Sequence, residues 1–121
     1  FKSILDGHSR SAFSGTVYIA KDAQKANSEQ INQNLLLSDS AEADSRPMLK
    51  IYADDVKAGH GSTVGQVSDD ELFYLRSRGI SKSKAIEMLA FGLAAEILFK
   101  VQDVDLRNEL EALVRKKFKG L

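Results

Sequence analysis

The chain has 121 residues, enough for one globular domain with a modest core but not for several. Its 17 basic and 17 acidic residues cancel, so nucleic acid and anionic membranes are not expected as partners. Cysteine is absent, which excludes disulfides, and no stretch approaches the ~20 apolar residues that would span a bilayer.

Short runs of β-forming residues recur through the first half of the chain, with apolar residues at every second position. The connections between them are too long for tight hairpins and contain no convincing amphipathic helix. This pattern predicts a solenoid over residues 1–67, in which each short strand stacks on the equivalent strand of the next coil as in a β-helix. A β-sandwich with long loops is the main alternative. The predicted strands are VYIA at 17–20, NLLLS at 34–38, MLKIYA at 48–53 and STVGQV at 62–67.

Two polar segments are expected to connect these strands. Residues 21–34 are rich in Asn and Gln, whose amides we expect to satisfy backbone groups in turns rather than to bind a ligand. Residues 39–46 are expected to form a solvated loop, and Pro47 suits the start of the strand that follows.

From Ser68 the spacing becomes helical, so residues 68–121 are predicted to form a small helical subdomain. A capping-box pattern at Ser68 begins a helix that runs from about residue 69 to 78, and Gly79 suits its C-terminal cap. Ser81 caps a second helix, and a third runs from about residue 104 to 119. The expected inward residues are Ile86, Leu89, Ala90, Leu93, Ala94, Ile97, Leu98 and Val101 in the second helix and Leu106, Leu110, Leu113, Val114 and Phe118 in the third.

His60 is the most accessible candidate for chemistry, because it lies between two glycines in a predicted turn. A lone histidine in a turn is ordinarily a surface residue, since a metal site needs several converging donors. Asp54 and Asp55 are adjacent, so in a strand they would point to opposite faces, and we favour turn and interface roles for them. An enzyme hypothesis, a β-helix hydrolase or lyase using Asp54, Asp55 and His60, stays open.

The end of the first helix carries more apolar surface than one helical face normally buries. Arg76 and Arg78 suit the negative end of the helix dipole even without a partner. The mixture of arginine with aromatic residues is nevertheless typical of a protein interface. The candidate interface residues are Phe73, Tyr74, Arg76, Arg78 and Ile80.

Two adjacent segments carry a family resemblance: IYADDVKAGHGSTVGQ at 51–66 and DDELFYLRSRGIS at 69–81. Together they resemble the C-terminal parts of SufD proteins, in the SufB/SufD family of iron–sulfur cluster assembly scaffolds. The related SufB proteins carry a His-Glu-Ala-Thr type segment where this chain has HGST, which favours the SufD branch. The resemblance implies the terminal coils of a right-handed parallel β-helix followed by a small C-terminal helical subdomain. It also implies a non-enzymatic subunit located in the cytoplasm, or in the plastid of a plant or alga.

The resemblance also implies partners. The β part would bind SufB near His60, a candidate site for cluster assembly and for metal ligation. The helices would dock on the SufC ATPase through Phe73, Tyr74, Arg76, Arg78 and Ile80. Without cysteine the chain alone is expected to bind no cofactor, and a cluster would be assembled transiently in the full complex.

The chain starts at Phe1 without an initiator Met, and family members are several hundred residues long, so we expect a C-terminal fragment. Its cut strand edges are expected to self-associate, for example as a homodimer. A purely structural, self-associating β-helix is the third hypothesis for its function.

Overall fold

Alternation of buried and exposed residues runs through the first half of the computed structural model, which describes residues 1–121, and helical spacing takes over in the second half. The chain forms two units, Phe1–Gln66 and Val67–Leu121, a division next to the expected boundary at residue 67. The first unit contains the strands β1 (Lys2–Leu5), β2 (Arg10–Ile19), β3 (Asn27–Leu36), β4 (Glu42–Ile51) and β5 (Lys57–Gln66). The second contains the helices α1 (Asp69–Ser77), α2 (Lys82–Leu98) and α3 (Val104–Phe118).

Successive strands alternate between two sheets. One sheet has the order β1-β3-β5, the other pairs β2 with β4, and every pair is parallel. The register is continuous along the strands, for example from Arg10 opposite Glu42 to Ile19 opposite Ile51. Parallel pairing of alternate strands is what stacked coils require, whereas the common sandwiches are built from antiparallel sheets. The right-handed parallel β-helix stays a prediction.

Each of the four long strands has ten residues and begins before the apolar run that predicted it. The predicted connection at 21–34 is therefore wrong from Asn27 onward, and the predicted loop at 39–46 is wrong from Glu42 onward. Pro47 lies inside β4, opposite Gly15, rather than at its start. The reason is that backbone hydrogen bonds to the neighbouring strand continue along its full length and do not depend on side-chain polarity.

Buried amides occupy the part of β3 that was predicted to be a connection. Gln30, Asn32 and Asn34 are 8%, 1% and 5% exposed. The Asn34 Nδ2 donates to the Asn32 Oδ1 at 2.6 Å and to the Thr63 carbonyl oxygen at 3.1 Å. The expectation that amides of this segment serve turns is therefore wrong for these three residues, which lie within a strand. We call them the amide row.

One amide in the first unit does satisfy backbone groups in a turn, as expected. The Gln24 side chain donates to the Lys21 carbonyl and accepts from the Asp55 backbone N–H, both at 2.9 Å. Lys25 next to it has a φ of 64°, and its backbone N–H donates to the Asp55 carbonyl. Gln24 thus fastens the corner before β3 to the corner before β5, thirty-one residues later.

The predicted helix caps are present in the second unit. The Ser68 side chain accepts from the Glu71 N–H, and Ser81 accepts from the Lys84 N–H. After α1, the Gly79 N–H donates to the Arg76 carbonyl and the Ile80 N–H donates to the Leu75 carbonyl, the two bonds of a Schellman motif. Gly79 has the positive φ, 84°, that this cap requires. The α1 bounds therefore follow from local sequence alone.

The inward faces of α2 and α3 are only partly as predicted. Ala90 and Leu98 are buried, but Ile97 is 45% exposed, and the buried set also contains Ala85 and Ala95. In α3, Leu106 and Leu113 are 48% and 63% exposed, whereas Leu110, Val114 and Phe118 are half-buried. Helix α2 is apolar over most of its circumference, so its sequence does not define one stripe. No helix in the structure is long and apolar enough to cross a membrane.

Candidate functional site

His60 lies in the middle of β5, in an extended strand rather than in the predicted turn. Its flanking residues Gly59 and Gly61 do not adopt positive φ, and a Cβ added to either would meet nothing within 4 Å. The prediction of a Gly-His-Gly turn is therefore wrong, because pairing with β3 holds the segment extended. The prediction of access is confirmed, since the His60 side chain is exposed.

The surroundings of His60 follow from the position of β5. It is the last strand in the order β1-β3-β5, so its second edge carries backbone groups that no strand of this chain pairs. On its paired side His60 stands opposite Gln30 of the amide row. Since opposed residues of parallel strands share a face of the sheet, His60 projects from the same face as the buried Gln30.

The two aspartates do not join His60 in a site. Asp54 and Asp55 lie in the bend between β4 and β5, and both are exposed. A strand advances roughly 3.3 Å per residue, so His60 lies roughly 10 Å beyond Lys57, the first residue of β5. The backbone of Asp55 is engaged by Gln24 and Lys25 at the corner, which agrees with the turn role favoured above.

No group of three or more His, Asp or Glu side chains is arranged to hold a metal ion. His60 can therefore supply one imidazole, a suitable ligand for iron, but further ligands would have to come from another protein or from the cluster itself. The assignment of His60 as a metal ligand stays a prediction.

Of the five interface residues predicted at the first helix, four are exposed and one packs against the helix. Phe73 and Tyr74 of α1 are 75% and 59% exposed, and Arg76 and Arg78 are also exposed. The Arg78 Cζ lies 5.4 Å from the centroid of the Tyr74 ring, within the range of a cation–π contact. Ile80 is half-buried at the position that packs back on the helix in a Schellman motif. We call the first four residues the α1 surface.

A cleft of about 410 Å³ opens beside the α1 surface, and the sequence reasoning missed it. Tyr74 and Leu75 of α1 and Leu89 of α2 supply its apolar lining, and the acidic rim comes from the first turn of α1. The capping-box pattern of that turn indicated only where the helix begins. The spacing could have indicated this cleft, because Asp70 lies four residues before Tyr74 and Glu71 lies four residues before Leu75. Residues four apart share one face of a helix. The rim residues are Asp70 and Glu71.

Cations gather at a second cleft of the helical unit. A cleft of about 460 Å³ is lined by residues of α2 and the end of α3: Lys84, Glu87, Arg115, Lys116 and Lys119. Lys84 pairs with Glu87 at 2.6 Å, and Arg115 pairs with Glu111 at 2.8 Å. The Arg115 guanidinium also stacks 3.8 Å from the centroid of Phe91. Both ion pairs lie within single helices, and the Arg115–Phe91 contact joins α2 to α3. None of these contacts was foreseen from the sequence.

Comparisons with known proteins point to one family. A model of the family described as SUF system FeS cluster assembly, SufBD core domain, matches residues 1–93. The chain is 40% identical over 119 residues to iron–sulfur cluster assembly protein SufD of Escherichia coli (strain K12), which covers 98% of this chain and 28% of that protein. It is 35% identical over 116 residues to the SufD protein of Bacillus subtilis (strain 168), covering 96% and 26% of the two chains.

A plant protein is also similar. Protein ABCI7, chloroplastic, of Arabidopsis thaliana is 33% identical over 112 residues, a match that covers 93% of this chain and 23% of that protein. The chain thus spans about a quarter of the length of these relatives.

Proposed function

The chain belongs to the SufBD family of the SUF system for iron–sulfur cluster assembly, and we propose that it is part of a SufD-like scaffold subunit of that system. Its first unit would form the terminal coils of a right-handed parallel β-helix. Two parallel sheets that receive alternate strands support this architecture. The subunit acts by binding partners rather than by catalysing a reaction, in the cytoplasm of a bacterium or in a plastid.

The β unit binds SufB through β5. The single observation that carries this proposal is that an exposed histidine lies at the centre of a strand whose outer edge is unpaired. An unpaired parallel edge accepts a strand from another chain by backbone hydrogen bonds, without demanding a particular sequence. Edge pairing would bring donors from SufB next to the imidazole of His60.

The cluster is cargo at this contact rather than a resident cofactor. His60 supplies an imidazole that ligates iron or orients a neighbouring ligand, and SufB supplies the thiolates that this chain lacks. The enzyme hypothesis lacks support, because Asp54 and Asp55 lie in a corner and not beside His60.

The helical unit docks on the SufC ATPase through the α1 surface. Two exposed aromatic rings beside two arginines form the kind of anchor on which interface energy concentrates. The adjacent cleft with an acidic rim would receive a basic or amphipathic side chain of SufC. Binding at this helix would couple ATP-driven movement of SufC to the scaffold.

The test uses the full-length protein that contains this chain, co-expressed with SufB and SufC. Replacing His60 with Ala should leave the three proteins associated and lower the iron and sulfide content of the purified complex. The matched control is Ser62→Ala, which truncates another exposed side chain on the same strand. Normal iron and sulfide in the His60 variant would refute its role in assembly.

The same experiment distinguishes the contacts. A His60 variant that loses SufB but keeps SufC would make His60 a packing residue of the SufB contact. A wild-type protein that forms only homodimers in light scattering, with SufB and SufC present, would instead favour the purely structural self-association through exposed strand edges.

A further inference from the structure

The amide row contains one buried oxygen without a partner. Gln30 is 8% exposed, and its Oε1 accepts no hydrogen bond. Its neighbours in the row are engaged with each other, because the Asn34 Nδ2 donates to the Asn32 Oδ1 and to the Thr63 carbonyl. Buried polar atoms are nearly always paired in folded proteins, so an unpaired acceptor calls for a donor.

The Gln30 side chain is confined to this place. A Cβ added to Gly15 of β2 would meet the Gln30 Nε2 and the ring of Phe13, so the carboxamide lies directly against the backbone of Gly15. Glycine at this position leaves the space that the carboxamide occupies. The amide therefore cannot move towards β2 to find another partner for its oxygen.

The residue opposite Gln30 in the register is His60. Neighbouring strands lie roughly 4.8 Å apart and opposed side chains share a face of the sheet, so the exposed imidazole and the Gln30 carboxamide project from the same face of adjacent strands. The ring makes no hydrogen bond in this structure, and both of its nitrogens are available. A neutral imidazole has one N–H and one lone pair, and a hydrogen bond to either atom decides which nitrogen carries the proton.

We propose that Gln30 is a positioning residue for His60: its Oε1 accepts a hydrogen bond from the His60 Nδ1–H, which leaves the Nε2 lone pair free to bind iron or a SufB group. Nδ1 is the ring nitrogen nearer the backbone of β5, whereas Nε2 projects farther out. This inference rests on the proposed role of His60 at the SufB contact. Metal-binding histidines ordinarily donate their second ring N–H to a nearby acceptor, and the Gln30 Oε1 would be that acceptor for His60.

Histidine-selective nitrogen-15 labelling of the full-length protein tests the inference without any cluster or partner. Long-range proton–nitrogen spectra in alkaline buffer, where imidazole is neutral, report the tautomer of each ring. The His60 signal is the one that disappears in His60→Ala. We expect the Nδ1–H tautomer in the wild type, although free histidine prefers Nε2–H, and a predominantly Nε2–H ring would overturn the proposal.

Substitutions identify the source of the effect. Gln30→Met keeps the length of the side chain but removes the acceptor, and it should shift His60 to the Nε2–H tautomer. Gln30→Glu retains an acceptor and should preserve Nδ1–H. Gln33→Met is the matched control, since it removes an amide from the same strand opposite Thr63 instead of His60. A Gln30→Met variant that folds and keeps the wild-type tautomer would overturn the proposal.

Assembly assays separate this inference from the proposed function. If both are right, Gln30→Met should lower the iron and sulfide content of the SufB and SufC complex several-fold, and Gln30→Glu should restore it. If His60→Ala assembles normally while Gln30 still determines the tautomer, the proposed function fails and the positioning contact stands. If Gln30→Met does not fold, the wild-type tautomer and the Gln30→Glu spectrum still decide the question.

Discussion

The two units of this chain are stabilised in different ways. In the β unit the strands have half-buried alternating faces, and part of the interior is polar, with amides that bond to each other and to a neighbouring strand. In the helical unit each helix begins at its own side-chain cap, and small alanines of α2 are the most buried residues. Order in the β unit therefore comes from pairing with neighbouring strands, and order in the helical unit begins with local sequence.

This contrast has a consequence for function. β5 ends the sheet order β1-β3-β5, so one of its edges is unpaired within this chain, and the proposed SufB contact uses that edge together with His60. A small helical unit cannot bury every apolar residue, and the surplus on α1 is exposed at Phe73 and Tyr74. Each unit thus has a contact surface of a kind that its architecture produces.

The largest effect is expected from truncation of a core leucine in the helical unit. Leu98→Ala should lower the free energy of unfolding by about 2–5 kcal/mol, because Leu98 is 8% exposed and the substitution leaves a cavity. Leu113→Ala is the control, since the sequence predicted the same inward position for a residue that is 63% exposed. Denaturant titration of the full-length protein measures both. Equal losses would show that α3 packs through Leu113 after all.

The corresponding test in the β unit removes an amide from its interior. Asn32→Ala should lower the free energy of unfolding by about 1–3 kcal/mol, because the Asn34 Nδ2 loses one of its two acceptors and a buried side chain is truncated. The control Asn27→Ala removes an exposed amide from the start of the same strand and should change little. A stability equal to wild type in Asn32→Ala would mean that the polar interior contributes nothing to holding the coils together.

A smaller effect is expected at the α1 surface, and it concerns binding rather than folding. Tyr74→Ala should weaken SufC binding about 30-fold, ~2 kcal/mol, since it removes an exposed aromatic anchor and the contact partner of Arg78. Calorimetric titration of SufC with the full-length protein measures the affinity. Tyr18→Ala, which removes a 64% exposed tyrosine from the β unit, is the matched control. Wild-type affinity in the Tyr74 variant would exclude this helix as the contact.

The smallest effect tests the local character of the helical unit. Ser81→Ala removes the side chain that accepts from the Lys84 N–H and should destabilise the fold by about 1 kcal/mol. Ser81→Asp, which restores an acceptor at the cap, should recover most of this loss. If neither substitution changes the melting temperature, packing rather than capping determines where α2 begins.

Several features could be predicted because their causes are local. Ser68, Ser81 and Gly79 act on backbone groups within a few residues of themselves, and the helices begin and end close to where these residues indicated. Exposure of His60 also followed from its small neighbours, although they lie in a strand and not in a turn. The α1 surface could be predicted because a short helix with four apolar or aromatic residues has more apolar side chains than one of its faces can bury.

The amino-acid sequence by itself determined the helix caps, the change from period 2 to helical spacing and the resemblance carried by residues 51–81. Only the tertiary structure decided the full strand lengths, the burial of Gln30, Asn32 and Asn34, and which faces of α2 and α3 point inward. The physical reason is distance along the chain. A cap acts over three or four residues. By contrast, β3 is paired on both sides with strands about thirty residues away along the chain. Backbone hydrogen bonds to those strands hold the polar sequence of β3 extended and place its amides in the interior.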